Sequence, residues 1–460
     1  MKNGKKPTWL KKSHESVNAA CLLCRDPVFN VETGQPIAPV QTSEKTLSRS
    51  NGAFISQGFL SLSFAFALAL LTVIPMTARS QSQNSLGFST PESVEGTLKA
   101  TEDRQSEGGL ENYHAWKKEL ESRTGFTFGV DNQTQYFSSN SDRSPSDAAG
   151  NAFRVYGTWT ATGRGTPNNG ALVFKFENRS AIGSKISPSE LGPSLGYAAV
   201  LSSTYTDVGW ILSNLYWRQR FANGRGSFVF GQVDNKDYVN VSGLISPWIA
   251  FQNYEFEQQG PYGGPPQGLG AAFLWRLNDN WGILGGFVDA NGDPSDPIES
   301  AKNFFDTGET FKHIAIGWSP DWADRADQSV QLTLWQIDER EEAGVEEGHG
   351  VSFVAAAKID KWRPFLRGGY ADGGGRPLDR SVSIGTGYDA RGGKDLAGIG
   401  LNWARAPDNS RDQFTMEAFY RYDVNDFLQI SPTVQYVANP ANDAATDDIF
   451  LLGLRVRVAF

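Results

Sequence analysis

Cysteine is nearly missing from this chain: there are two in 460 residues, Cys21 and Cys24, and residues 81–460 hold none. No disulfide therefore holds that part together. The C-L-L-C pair has no second pair of ligands at a zinc-type spacing, so neither a metal nor a cofactor is expected. Histidine is scarce too. Beyond residue 80 there are His114, His313 and His349, none beside a recognisable Ser or Asp motif, which leaves a nucleophile-and-base enzyme little to build on. The same stretch has no apolar run near the roughly 20 residues that a spanning helix needs, which excludes a helical membrane protein there. Positive charge is also short. Residues 1–80 hold nine Lys and Arg against four Asp and Glu, leaving 33 against 47 in the remainder, a net of −14 that argues against a nucleic-acid partner.

One apolar segment does exist, from Phe54 to Pro75, with Lys45 and Arg49 before it and Ala78-Arg79-Ser80 after it. This is the plan of a secretory signal, with cleavage expected after Ser80. Three regions follow: a leader and signal peptide at 1–80 that is removed, an amino-terminal segment at 81–124, and a long domain at 125–460. Within the second region, residues 108–123 read as a short periplasmic helix, with Leu110, His114, Lys117, Lys118 and Leu120 as its pattern, while 81–107 reads as unstructured.

What the chain has instead is glycine, 49 residues, with 29 Phe, 14 Tyr and 13 Trp. It ends in IFLLGLRVRVAF. Phe450, Leu452, Leu454, Val456, Val458 and Phe460 fall on even positions, and Arg455 and Arg457 on odd ones. Apolar residues at period two over about ten residues suit a strand with lipid on one face and water on the other, and a closed barrel leaves no backbone group unpaired in hydrocarbon. The pattern recurs at 151–161, 171–179, 412–422 and 427–437. A one-residue slip would drive every charge into lipid. Further strands are expected at 125–137, 196–205, 208–221, 226–234, 270–277, 281–290, 312–319, 328–338, 350–360, 363–371 and 395–405. An even total of 16 fits the length at about 24 residues per strand with its turn. The expected fold is all-β: a transmembrane antiparallel barrel, wide enough for an aqueous interior.

The register assigns Arg154, Lys175, Glu177, Arg179, Arg218, Arg220, Glu417, Arg421, Arg455 and Arg457 to the lumen, with Arg276, Lys358, Arg363, Arg367 and Asp131. Cations dominate that set, so a basic lining is expected. Residues 235–268 are too long and too rich in Pro and Gly for a plain turn. Their aromatics, Trp248, Phe251, Tyr254 and Phe256, argue for packing, so this loop is expected to fold into the barrel and narrow it, bringing Trp248, Tyr254, Glu255 and Glu257 inward. The stretch DANGDPSDPIE (289–299) has carboxylates but lacks the glycine spacing of a calcium loop, and reads as an acidic turn.

The block MEAFYRYDVNDFLQISPTVQYVANP (416–440), with the terminal FLLGLRVRVAF, resembles the last strands of carbohydrate-selective porins of the OprB family. FVFGQVDNKDYV (228–239) is similar to that family's G-K-x-D-x-x-D-F stretch, with Gly231, Asp234 and Asp237 in place and Gln232 where Lys is usual. Trp116, Leu120, Gly125 and Phe126 resemble its entry to the first strand, although Lys117 and Lys118 follow the Trp. The resemblance covers most of 110–460. It implies a 16-stranded porin in a gram-negative outer membrane, passing mono- and small oligosaccharides, with lipid around it and the barrel-assembly machinery reading the Phe460 strand. The cation-rich lumen keeps a general or anion-preferring diffusion pore as the alternative. An outer-membrane enzyme or adhesin is the lesser reading. A lipid-facing strand and a subunit-facing one look alike in sequence, so monomer and homotrimer both stay open.

Overall fold

A computed structural model describes residues 88–105, 111–407 and 411–460. The leader, the signal and its cleavage site lie outside the described residues. Two helices lead, α1 (Val94–Gln105) and α2 (Glu111–Thr124). Sixteen strands follow. They are β1 (Phe126–Ser139), β2 (Asp147–Thr162), β3 (Gly170–Ala181), β4 (Gly209–Phe221), β5 (Gly226–Val233), β6 (Gly268–Arg276), β7 (Trp281–Asp289) and β8 (Thr310–Trp318). The second half comprises β9 (Ser329–Ile337), β10 (Gly348–Ala356), β11 (Trp362–Gly373), β12 (Arg380–Ala390), β13 (Asp395–Arg405), β14 (Asp412–Asp423), β15 (Leu428–Ala438) and β16 (Asp448–Ala459). Each strand pairs antiparallel with its sequence neighbour, and β1 closes on β16.

The expected total is right, although not every member is. Residues 196–205 are no strand; they lie in the loop after β3 and pack inside the barrel, with Tyr197, Leu201 and Tyr205 buried. In their place stands β12, whose small and polar residues (RSVSIGTGYDA) give too little hydrophobic contrast to announce a strand. The acidic turn at 289–299 continues into α5 (Pro297–Thr307), with Asp296 at its amino-terminal cap accepting from the Glu299 amide. Among the described residues no cluster of metal-type ligands exists.

The helix expected at 108–123 is α2. Trp116 meets Phe128 edge-on at 6.1 Å between centroids, and the Lys117 ammonium lies 5.4 Å from the centre of the same ring. Residues 81–107, read as unstructured, contain α1. That helix enters the barrel, and Phe88, Val94 and Leu98 are buried there.

The two ends of the barrel differ. The turns between β4 and β5, β6 and β7, β12 and β13, and β14 and β15 are short, and the termini of the sheet lie at that end. The opposite end carries long connections at 182–208, 234–267 and 290–309. Outer-membrane barrels keep short turns on the periplasmic side, which orients the chain. Burial separates the two faces of the wall: Phe176, Leu401, Phe414 and Leu452 are exposed outward, while Lys175, Asn402, Thr415 and Leu451 are buried inward. Gly231 illustrates a local demand of the wall. Its φ is +139°, and a Cβ there would fall 2.5 Å from the Leu215 carbonyl oxygen, so strand β5 bends where only glycine fits.

The interior is occupied in this conformation. Every strand contributes buried inward side chains, among them Gln133, Arg154, Val288, Arg367 and Arg457, because the loops 182–208 and 234–267 and the α1 segment fill the space the strand number would leave as water.

The outward register generates a stability test. Leu401 lies near the middle of β13 and is 53% exposed, facing lipid. Leu401→Arg is expected to lower folding stability in phospholipid vesicles by about 2–4 kcal/mol. Urea titration measures it; an unchanged midpoint would refute the lipid-facing assignment.

Candidate functional site

The loop between β5 and β6 starts where Asp234 accepts from the Lys236 amide at 3.0 Å and caps a short 3-10 turn, Asn235–Asp237. It then runs into the lumen. Its Trp248, Glu255 and Glu257 are all buried there. Tyr254 begins α4 (Tyr254–Glu257) and donates its amide to the Val200 carbonyl at 3.0 Å.

The wall grips the loop through its backbone. Arg367 of β11 donates to the carbonyls of Asn240 at 2.9 Å and Glu257 at 2.8 Å. Arg455 of β16 donates to the Ala250 carbonyl at 3.2 Å and also to that of Pro247. Glu417 of β14 does the converse, accepting from the amides of Gln252 and Asn253, each at 2.9 Å. These groups satisfy the backbone polar atoms that an irregular segment brings into a buried place. Phe251 and Phe256 pack at 5.1 Å, with Phe419 edge-on to Phe251 at 5.0 Å. A second loop braces the first. Beyond α3 (Pro188–Ser194), the Tyr197 hydroxyl donates to the Asn253 side-chain oxygen at 2.9 Å, and Ser203 donates to Glu257.

Facing the loop is a row of charges on β1, β2, β3 and β16. Arg154 forks onto Asp131 at 2.6 and 2.9 Å, and Arg457 reaches the same carboxylate at 2.6 Å. The Arg154 guanidinium lies between two rings, 3.5 Å from the centroid of Trp248 and 4.8 Å from that of Tyr156. Lys175 is 3.4 Å from Asp237 and 3.9 Å from Glu177, whose other oxygen accepts from Arg179 at 2.7 Å. Such pairs hold buried charge at tolerable cost only while both partners remain.

The inward assignments thus divide into groups. Arg154, Lys175, Glu177 and Arg179 come together with Trp248 and Glu257 around the loop. Glu417 and Arg455 anchor it. Arg218 and Arg220 lie apart, both bonded to Glu95 of α1. Arg421 lies nearer the short-turn end, 3.0 Å from Asp423. The basic lining is therefore offset, because the loop and the α1 segment bring in Asp234, Asp237, Glu255, Glu257 and Glu95. Asp237 was visible only as part of a motif. Glu95 carried no signal, since its segment was read as unstructured.

Burial raises two loop carboxyls. Glu255, despite bonds from Ser381 and the Gly260 amide, and Glu257, despite Ser203, are each pushed up to about 7.

No curated protein matches the chain. Residues 330–460 match the sequence model of the carbohydrate-selective porin, OprB family. The match runs from β9 to the carboxy terminus. Among solved structures, the high-pH structure of Pseudomonas putida OprB is similar with a TM-score of 0.60 at 15% identity, covering 76% of this chain and 97% of that one. The low-pH structure of the same protein gives 0.46 at 12% identity over 76% and 97%. Outer-membrane expressed OmpT of Vibrio cholerae gives 0.44 at 13% identity over 73% and 97%. The likeness to the first shows a shared barrel fold.

The raised loop carboxyls set a pH dependence. An ordinary glutamate titrates near 4.3. With folded values near 7, the docked loop binds protons more tightly than the released one, so docking is strongest below about 4.3 and weakens as pH rises towards 7. Hydrogen exchange of residues 240–260 is expected to quicken from pH 5 to pH 8 beyond the intrinsic chemical rate. A rate corrected for that chemistry and flat with pH would contradict the burial of Glu255 and Glu257.

Proposed function

We propose that this protein is an outer-membrane porin that gives mono- and small oligosaccharides a diffusive route across the membrane. The closed barrel and the family match over its last eight strands support a channel. Lipid surrounds the outward face, and the Phe460 strand is the signal proposed for the assembly machinery.

The observation that carries the sugar reading is the match of residues 330–460 to the carbohydrate-selective porin model, on a closed 16-stranded barrel. Passing sugars need hydrogen-bond partners to replace lost water, and a flat apolar surface for their ring faces. Asp131, Arg154, Glu177 and the Trp248 ring are suitable chemistry for this, and in the filled lumen they are buried against one another, so a solute meets them once the filling moves. The anion-preferring alternative rested on a surplus of lumenal cations. Its motive weakens because Arg154, Arg457, Lys175, Arg179, Arg218 and Arg220 each face a carboxylate.

Liposome swelling with glucose, maltose and maltotriose tests the proposal. Glucose is expected to pass fastest. Arg154→Ala should change the ratio of the three rates, since Asp131 keeps Arg457 and the wall stays paired; Arg421→Ala, which removes a 3.5 Å bond to the Ile249 carbonyl of the loop but leaves Trp248 and Arg154 untouched, should change it less. Equal, measurable rates for all three sugars would overturn the reading.

A further inference from the structure

We propose that residues 88–105 are an internal plug, docked into the lumen from the short-turn end and latched by Glu95 on Arg218 and Arg220, and that solute passes only when it is released. The inference rests on the porin reading, and it adds that the resting channel is closed by the chain's own amino-terminal segment.

The segment spans much of the lumen. At its far end the Phe88 ring meets Tyr238 of the constriction loop edge-on at 5.1 Å, and the Thr90 hydroxyl donates to the Asp237 carbonyl. Asp237 is the residue whose carboxylate holds Lys175. The plug therefore touches the loop that builds the constriction. The Glu92 carboxyl is buried there, with Arg154, Lys175, Ser246 and Glu257 about it. Midway, Val94 and Leu98 join a buried cluster that includes Tyr156 and Val173 of the wall. At the near end Arg104 donates to the Asp426 carbonyl, in the turn between β14 and β15, at 2.8 Å. No strand carries any of it.

Its composition suits release. The helix VEGTLKATEDRQ buries few apolar side chains, and Lys99, Ala100, Glu102 and Asp103 remain exposed. Docking thus depends on charge. Among the described residues Glu95 is the carboxylate paired with Arg218 and Arg220, which are themselves almost fully buried. Those two arginines sit two positions apart on β4 and face the same way, so without Glu95 they repel each other in a poorly hydrated place. With Glu95 in place the latch holds. In sequence the segment leads to α2, which packs on the outward-facing Phe128 of β1.

Single-channel recording in planar bilayers, with full chain, a variant lacking 88–105, and Glu95→Ala, tests this. Retained folding is checked by heat-modifiable gel mobility. The deletion is expected to raise mean conductance severalfold, and Glu95→Ala to lower the docked-to-released ratio by roughly a hundredfold, the loss expected when one partner of a buried ion pair is removed. Since residues 81–460 contain no cysteine, Ser227→Cys on the buried lumenal face of β5 gives a second readout with a membrane-impermeant thiol reagent. It should be protected in the full chain and reactive in the deletion. Equal conductance and equal reactivity in full chain and deletion would overturn the plug while leaving the porin reading standing. Silence of all three proteins towards ions and glucose would overturn the porin reading, and the plug with it.

Discussion

Hydrocarbon offers a backbone nothing to bond to, and that constraint shapes the rest of this molecule. Each N–H and C=O in the membrane must find its partner in the sheet, so the sheet must close, and closure joins β1 to β16. Closure then gives the wall two faces of opposite chemistry and forces period two on each strand. The seam shows how the two demands meet. Asp131 of β1 takes Arg154 from β2 and Arg457 from β16, one carboxylate tying both neighbours on the lumenal side while the backbone ladder ties them within the wall.

A wide barrel creates a second problem, which is what to do with its inside. Here the loops 182–208 and 234–267 are drawn in, and irregular chain inside a wall carries polar groups with no ladder to satisfy them. The inward side chains of the strands act as that missing ladder. Arg367 and Arg455 offer their forks to loop carbonyls, and Glu417 offers its oxygens to loop amides. The planar guanidinium suits this task because several fixed donors serve more than one carbonyl at once. Lumenal arginine thus has two uses in this chain: some hold the β5–β6 loop in place, and others meet carboxylates around it.

Legibility in the sequence followed the same physics. Lipid imposes strong contrast, so 171–179 and 427–437 were readable to the residue, as was the terminal strand. Where contrast is weak the reading failed. The strand 380–390 alternates Ser, Val, Ile, Gly and Thr, residues too small to mark either face. The opposite error arose at 196–205, where Tyr197, Leu201 and Tyr205 are apolar enough for a strand but are buried against loop and lumen, an environment that local sequence does not distinguish from lipid. The loop at 235–268 was legible because aromatic residues in a Pro- and Gly-rich stretch have to be packed somewhere. Its clasp was not, since Tyr197 and Asn253 lie far apart in the chain and nothing local links them. Residues 94–105 failed for a further reason: a mostly polar helix has no apolar stripe when its surroundings are themselves charged.

That last failure separates two kinds of filling. The loops are fastened by neutral backbone groups, many of them shared among several strands, so removing one contact leaves the others in register. The α1 segment is fastened chiefly by one carboxylate on two arginines and a few apolar residues. A contact of that type rests on a single carboxylate, whereas the loop is held by several separate bonds from Arg367, Arg455 and Glu417. On the plug proposal, release therefore begins at the amino-terminal segment, while the β5–β6 loop keeps its bonds to the wall.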